Sequence, residues 1–178
     1  MDHKPWRFVS STVRRIAMFL PLRTATLALI LAIAGITIIS LPAHASDPVA
    51  GTWELNLEKS KYSPGPPPKS QTRTYEVTGQ QEKMISKSVD AKGNEIVHQF
   101  SANRDGKDYP FEGWPIADTI SITPVDTFTS TFTQKKAGEV VVTGRRVISK
   151  DGKTMTTSLK FTTPTGQQVD NLMVFDKK

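Results

Sequence analysis

Four side chains are the candidate ligand contacts of this sequence: Arg146, His98, Tyr75 and Trp114. Arg146 shares its strand face with Val140 and Val142, and apolar residues of this kind direct a face inward. A guanidinium on an inward face is costly unless it is paired, and an acidic group of a ligand is one candidate partner. The alternatives are a buried ion pair with an Asp or Glu of the chain and stacking against Trp53.

The other three candidates each have a binding role and a packing role open to them. His98 alternates with Ile96 and Phe100, so it is either a hydrogen-bonded core residue or a ligand contact. Tyr75 either offers a hydroxyl inside the fold or packs in the core. Trp114 either lines an entrance or anchors its loop. The sequence therefore predicts a binding site built from isolated polar groups on apolar faces.

Catalysis and metal binding have little support in the sequence. It contains no cysteine, which excludes disulfides, thiol nucleophiles and zinc–cysteine sites. His98 is the only histidine after residue 45, so a metal site or a catalytic triad lacks partners. We therefore predict that the protein is not an enzyme and has neither a metal nor a cofactor.

The first 45 residues have the composition of an export signal. A basic region ends at Arg23, an uncharged stretch follows, and Ala43-His44-Ala45 precedes Ser46. Small residues at the first and third positions of that triplet predict cleavage after Ala45, which leaves 46–178 as a single domain in the periplasm or outside the cell. An uncleaved membrane anchor is the alternative, because the uncharged stretch is long enough to cross a bilayer. Met18 is a second candidate start.

The charge of the chain resides largely in this leader. The sequence holds 23 Lys and Arg against 17 Asp and Glu, of which the leader takes five and one, leaving 18 and 16. Such a balance favours neither nucleic acid nor a membrane surface as a partner, and no membrane span is predicted after residue 45. The sequence makes no prediction about oligomeric state.

Residues 46–178 read as β-hairpins, with alternating apolar and polar residues between glycine-containing turns. The predicted strands are 51–57, 71–78, 82–90, 95–102, 107–112, 119–124, 127–134, 139–149, 153–163 and 167–176. One helical turn is predicted at 58–62, before a proline-rich segment, and Gly144 is expected to mark a bulge or bend. The proline-rich segment and the loop 113–118 are expected to flank one open end of the fold.

Ten antiparallel strands joined by short turns predict an all-β, up-and-down barrel, because closure removes the edges of the sheet. A two-sheet sandwich is the alternative. Within a barrel, Trp53 is expected to close the narrow end as a packing residue, with Gly51 opening the same strand. Large inward aromatics leave open whether the interior is a cavity or is filled with side chains.

Three segments carry a resemblance to a family of small secreted bacterial proteins described as lipocalin-like: Gly51-Thr52-Trp53-Glu54-Leu55-Asn56 with Lys59-Ser60-Lys61-Tyr62, Asp105-Gly106-Lys107-Asp108-Tyr109-Pro110, and Ser149-Lys150-Asp151-Gly152-Lys153-Thr154. The resemblance implies an antiparallel β-barrel of the calycin type, with about eight to ten strands. It brings no established activity.

We therefore expect an exported barrel that binds a small, largely apolar ligand, either neutral or acidic, without covalent chemistry. The alternative is a filled barrel that serves the cell envelope as a structural module, or as a module that binds a protein or polysaccharide, and has no small-molecule ligand.

Overall fold

The structure, a computed structural model, describes residues 46–163 and 165–178. Within these ranges the chain forms ten strands and no helix. The strands are β1 (Gly51–Leu55), β2 (Ser70–Thr78), β3 (Gln81–Val89), β4 (Glu95–Asn103), β5 (Tyr109–Glu112), β6 (Thr119–Asp126), β7 (Thr129–Lys136), β8 (Glu139–Ile148), β9 (Thr154–Thr162) and β10 (Gln168–Lys177). All ten predicted strands are present. The predicted export signal, residues 1–45, lies outside the described residues.

The ten strands form one closed antiparallel barrel in which each strand pairs with its neighbour in the chain. The first and last strands complete the ring, with Glu54 of β1 opposite Asp176 of β10. Closure gives each of the ten strands a paired neighbour on both sides, although β5 pairs with β4 and β6 over only two residues each. The predicted barrel is confirmed, and the sandwich alternative is wrong.

One end of the barrel is closed by packed side chains. Trp53 has 0% of its surface exposed, and its indole Nε1 donates to the Val49 carbonyl at 2.8 Å. Phe175 is equally buried, and the Lys177 ammonium lies 5.0 Å from the centre of the Trp53 ring. Gly51 makes this arrangement possible, because a Cβ there would lie 2.9 Å from the Lys177 side chain and its φ of +122° disfavours any other residue.

Two details of β8 differ from the sequence prediction. A register shift against β7 leaves Val141 as an extra residue, so Val142 points inward while Val140 is 54% exposed. The predicted inward position of Val140 is therefore wrong. The bulge is at Val141 rather than at Gly144, whose missing side chain makes room for the ring of Phe132 on the neighbouring strand.

The segment between β1 and β2 forms turns rather than the predicted helical turn at 58–62. Lys61 exchanges two backbone hydrogen bonds with Leu172 of β10, at 2.7 and 2.8 Å. These bonds hold the segment in an extended path, because the Lys61 backbone pairs with a strand instead of with its own turn. In the described ranges there is no helix that could cross a membrane.

Candidate ligand-binding cavity

The barrel contains a cavity of about 330 Å³ on the side away from Trp53. Tyr62, Pro66 and Pro68 of the β1–β2 segment line it, together with Trp114 of the β5–β6 loop. The two irregular segments therefore lie at the same end of the barrel, as the sequence predicts. This end is the candidate entrance.

The walls of the cavity are mainly apolar. The hydrophobic lining includes Met84, Phe100, Phe111, Ile122, Phe132 and Phe161. Trp53 and Phe175 fill the closed end of the barrel, whereas the aromatic residues farther along face open space. The volume falls at the lower end of the range typical of small-molecule sites, so the interior is not completely filled.

His98 and Trp114, two of the predicted contacts, lie together in the wall of the cavity. Their rings are stacked with centres 6.2 Å apart and planes 27° apart. Phe111 meets the His98 ring at 5.5 Å, and Phe161 meets the Trp114 ring edge-on at 5.8 Å. The four rings form a continuous aromatic wall near the entrance.

Gly113 positions this wall. It has a φ of +81°, and a Cβ at this position would overlap the Val97 carbonyl and approach the His98 Cα to 3.1 Å. A glycine is therefore required for the loop to pass so close to β4. The close approach places the next residue, Trp114, on the His98 ring.

Arg146 lines the cavity, but its charge is already paired. Its two terminal nitrogens donate to the two carboxylate oxygens of Glu82 at 2.6 and 2.8 Å, a bidentate geometry. Glu82 has 0% exposure, and Arg146 has 7%. The buried ion pair considered from the sequence is therefore present, with Glu82 as the partner, and the guanidinium stacks on Tyr75 instead of Trp53.

The Glu82–Arg146 pair belongs to a larger ionic cluster at the closed end. Arg104 donates through Nε to Glu82 at 2.7 Å and through its terminal nitrogens to Asp47 at 2.6 and 3.2 Å. Burial raises the pKa of Glu82, but the attraction of Arg146 and Arg104 outweighs burial and leaves the pKa below its usual value. The cluster therefore holds two positive and two negative groups, and its charges cancel.

Tyr75 lies on the wall between the cavity and this cluster. It is 5% exposed, and the Arg146 guanidinium carbon lies 5.0 Å from the centre of its ring. Its ring thus packs against the charged pair, and the residue also lines the cavity.

Arg73 is the residue that the sequence analysis missed. It is 9% exposed and lines the cavity from β2, two residues before Tyr75. Residues two apart on a strand share a face, so the inward placement predicted for Tyr75 also predicts an inward Arg73. That signal was available from the sequence.

Four buried polar atoms in the described part of the chain have no hydrogen-bond partner: Tyr62 Oη, Arg73 Nε, His98 Nδ1 and Gln134 Oε1. All four side chains line the same cavity. Buried polar groups in folded proteins are nearly always hydrogen-bonded, so a cluster of exceptions calls for an explanation. No cluster of metal-ligating side chains occurs among the described residues.

His98 should make the stability of the protein depend on pH. Burial, with a smaller effect of Arg73, lowers the pKa of His98 from 6.5 to about 4. Below pH 6.5 His98 takes up a proton in the unfolded chain, whereas in the folded protein it stays neutral until about pH 4. Stability therefore falls as the pH falls through this window. We expect a loss of up to about 2 kcal/mol between pH 7 and pH 5.

Urea denaturation at the two pH values tests this expectation. In the His98→Gln variant the difference in the free energy of unfolding between pH 7 and pH 5 should be smaller by the contribution of His98, since the glutamine amide does not titrate. Equal pH dependence in the two proteins would contradict the assigned pKa.

Comparisons with known proteins find solved structures of low similarity. No protein-family model and no curated protein matches the sequence. A solved structure of EF1p2_mFAP2b bound to DFHBI is 8% identical with a TM-score of 0.43, covering 74% of this chain and 94% of that chain. A redesigned β-barrel, mFAP1, also bound to DFHBI, is 11% identical with a TM-score of 0.38, covering 73% and 95%. At these values the assignment of the barrel rests on its own strand pairing.

Proposed function

We propose that the protein binds a small, largely apolar ligand inside the barrel. The observation that carries this proposal is that the four side chains whose buried polar atoms lack a partner among the described residues all line one cavity with mainly apolar walls. An apolar pocket with a few convergent polar groups is the usual form of a small-molecule site. A ligand with polar atoms would supply the missing hydrogen bonds.

The proposed binding is non-covalent and takes place after export. The chain has no cysteine, and the His98 Nδ1 has no hydrogen-bond partner among the described residues, so it is not held by a serine or a carboxylate as in a catalytic triad. Export is proposed from the signal-like composition of residues 1–45.

Native mass spectrometry of the protein purified from the cells that produce it tests the proposal. We expect a bound small molecule in the wild type. Leu159→Trp replaces a leucine of the cavity wall with a much larger indole ring. We expect the fraction of protein that carries the bound molecule to fall at least about tenfold, because the indole takes up the space that the ligand needs.

Leu172→Trp is the matched control. Leu172 lies on the paired strand, is 36% exposed and is not part of the cavity lining, so this variant should retain the ligand. Equal occupancy in both variants would place the bound molecule outside the cavity. Wild-type protein without any bound molecule would favour the alternative of an envelope interaction module.

A further inference from the structure

Arg73 is a buried cation that contacts no carboxylate among the described residues. Its terminal nitrogens reach only the Thr157 hydroxyl, at 3.5 Å, and the Met173 sulfur, at 3.7 Å, while its Nε has no partner. The ring of Phe175 lies 4.5 Å below the guanidinium carbon. A guanidinium has five N–H donors, so these contacts leave most of its capacity unused.

The other buried charges do not compensate for Arg73. The ionic cluster of Glu82, Arg146, Arg104 and Asp47 is neutral by itself. Asp90, the carboxylate among the residues that line the cavity, is not buried, and it accepts two hydrogen bonds from Asn94 in the β3–β4 turn, both at 2.8 Å. Arg73 therefore gives the interior of the barrel one positive charge that has no buried counterion.

Tyr62 also lines this cavity, and its buried hydroxyl has no hydrogen-bond partner among the described residues. Its position is fixed, because the flanking Lys61 pairs with Leu172 and Ser63 exchanges hydrogen bonds with β10, donating to Asn171 Oδ1 at 3.1 Å and accepting from the Asp170 amide at 2.7 Å. Burial raises the pKa of the Tyr62 hydroxyl, while nearby Arg73 lowers it, and the net shift is upward. The hydroxyl thus stays protonated at neutral pH and is able to donate.

His98 adds a neutral group rather than a second cation. Its pKa of about 4 keeps the imidazole uncharged at neutral pH. The buried wall of the cavity therefore presents one cation without a counterion among the described residues, neutral polar groups and aromatic rings, while the Asp90 carboxylate lies at the β3–β4 turn.

We propose that the ligand is a compact, mainly apolar molecule with a single negative charge, and that its acidic group binds Arg73 with the Tyr62 hydroxyl as a second donor. An anionic oxygen pair matches the planar fork of a guanidinium and restores the missing counterion. The apolar body lies against the wall formed by His98, Phe111, Trp114 and Phe161. The cavity of about 330 Å³ limits the body to a compact shape. This inference rests on the proposed function.

A pair of fluorescent probes separates the charge of the ligand from its apolar body. The anion 8-anilinonaphthalene-1-sulfonate and the neutral N-phenyl-1-naphthylamine share one ring system and differ by the sulfonate group. Each is titrated into the full-length protein and its variants, and the dissociation constants are compared. The Leu159→Trp variant identifies the part of each signal that arises in the cavity.

Arg73→Met should weaken binding of the sulfonate probe at least tenfold and change binding of the neutral probe less than threefold. Arg73→Lys, which keeps the charge but loses the fork, should give an intermediate value for the sulfonate. Arg145→Met, which removes an exposed arginine on the outer face of β8, should change neither constant. Circular dichroism confirms that each variant is folded, and the lysine variant carries the test if the methionine variant unfolds.

Two results would overturn the inference in distinguishable ways. If both probes bind in the cavity and neither Arg73→Met nor Arg73→Lys discriminates between them, the cavity binds ligands but Arg73 does not select anions. If neither probe binds the wild type, or Leu159→Trp binds both as well as the wild type does, the proposed function itself fails, and the anion site fails with it.

Discussion

Replacing Arg146 with methionine should lower the free energy of unfolding by about 3–5 kcal/mol, the usual cost of removing one partner from a buried ion pair. Glu82 is completely buried and accepts three hydrogen bonds from guanidinium groups, two of which come from Arg146. The substitution leaves the carboxylate with a single contact from Arg104. This loss is a large part of the stability of an ordinary domain, so urea denaturation measures it directly.

Arg145→Met is the matched control for this experiment. The two arginines are neighbours on β8, but Arg145 points outward and is exposed, so its removal should change stability by less than about 0.5 kcal/mol. The double variant Glu82→Leu/Arg146→Met should recover much of the loss, because it removes both charges together. Equal effects of the two single arginine substitutions would contradict the buried pair.

The pH dependence of the stability of the Arg146→Met variant is an independent test of the buried Glu82–Arg146 pair. In the wild type the pKa of Glu82 is below its value in the unfolded chain, so its contribution to stability is present above the unfolded value and is lost as pH falls through the folded value. Without Arg146 the carboxylate takes up a proton more readily. The deficit of the variant should therefore be largest near neutral pH and should shrink on acidification.

Replacing Trp53 with alanine should also lower the free energy of unfolding by about 3–5 kcal/mol, since it opens a cavity in a fully packed region. The ring is completely buried at the closed end of the barrel. Its loss also removes the indole donor to the Val49 carbonyl and the aromatic face beneath the Lys177 ammonium.

Thermal and urea unfolding of a size series checks the role of Trp53. Trp53→Phe should cost less than Trp53→Ala, because the phenyl ring fills part of the space. Trp114→Ala is a useful comparison, since Trp114 is only half-buried at the cavity entrance and its loss should be smaller. An unchanged unfolding curve for Trp53→Ala would contradict the packing role.

Local patterns in the sequence were sufficient to predict the elements of this fold. Alternation of apolar and polar residues marks the strands, and Asp-Gly pairs such as Asp105-Gly106 and Asp151-Gly152 mark turns between them. The sequence also predicted that the proline-rich segment and the loop with Trp114 lie at one end, because alternate connections of an up-and-down barrel share an end. These features depend on residues that are close in the chain.

The partners of the inward charges depended on the tertiary structure. Arg146 was predicted to face inward, but its partner Glu82 is 64 residues away, and nothing in the local pattern distinguishes that carboxylate from the others. The bulge at Val141 also lay beyond the pattern, because it arises from the register between two strands.

The division between sequence and structure therefore follows the range of the interactions. Strand identity and the inward or outward direction of most side chains come from short-range alternation, so the sequence by itself determined them. Which inward arginine is neutralised and which is left without a counterion depends on how distant strands meet across the barrel. Only the closed barrel decided that Arg146 is paired with Glu82 while Arg73 faces the cavity without a carboxylate partner among the described residues.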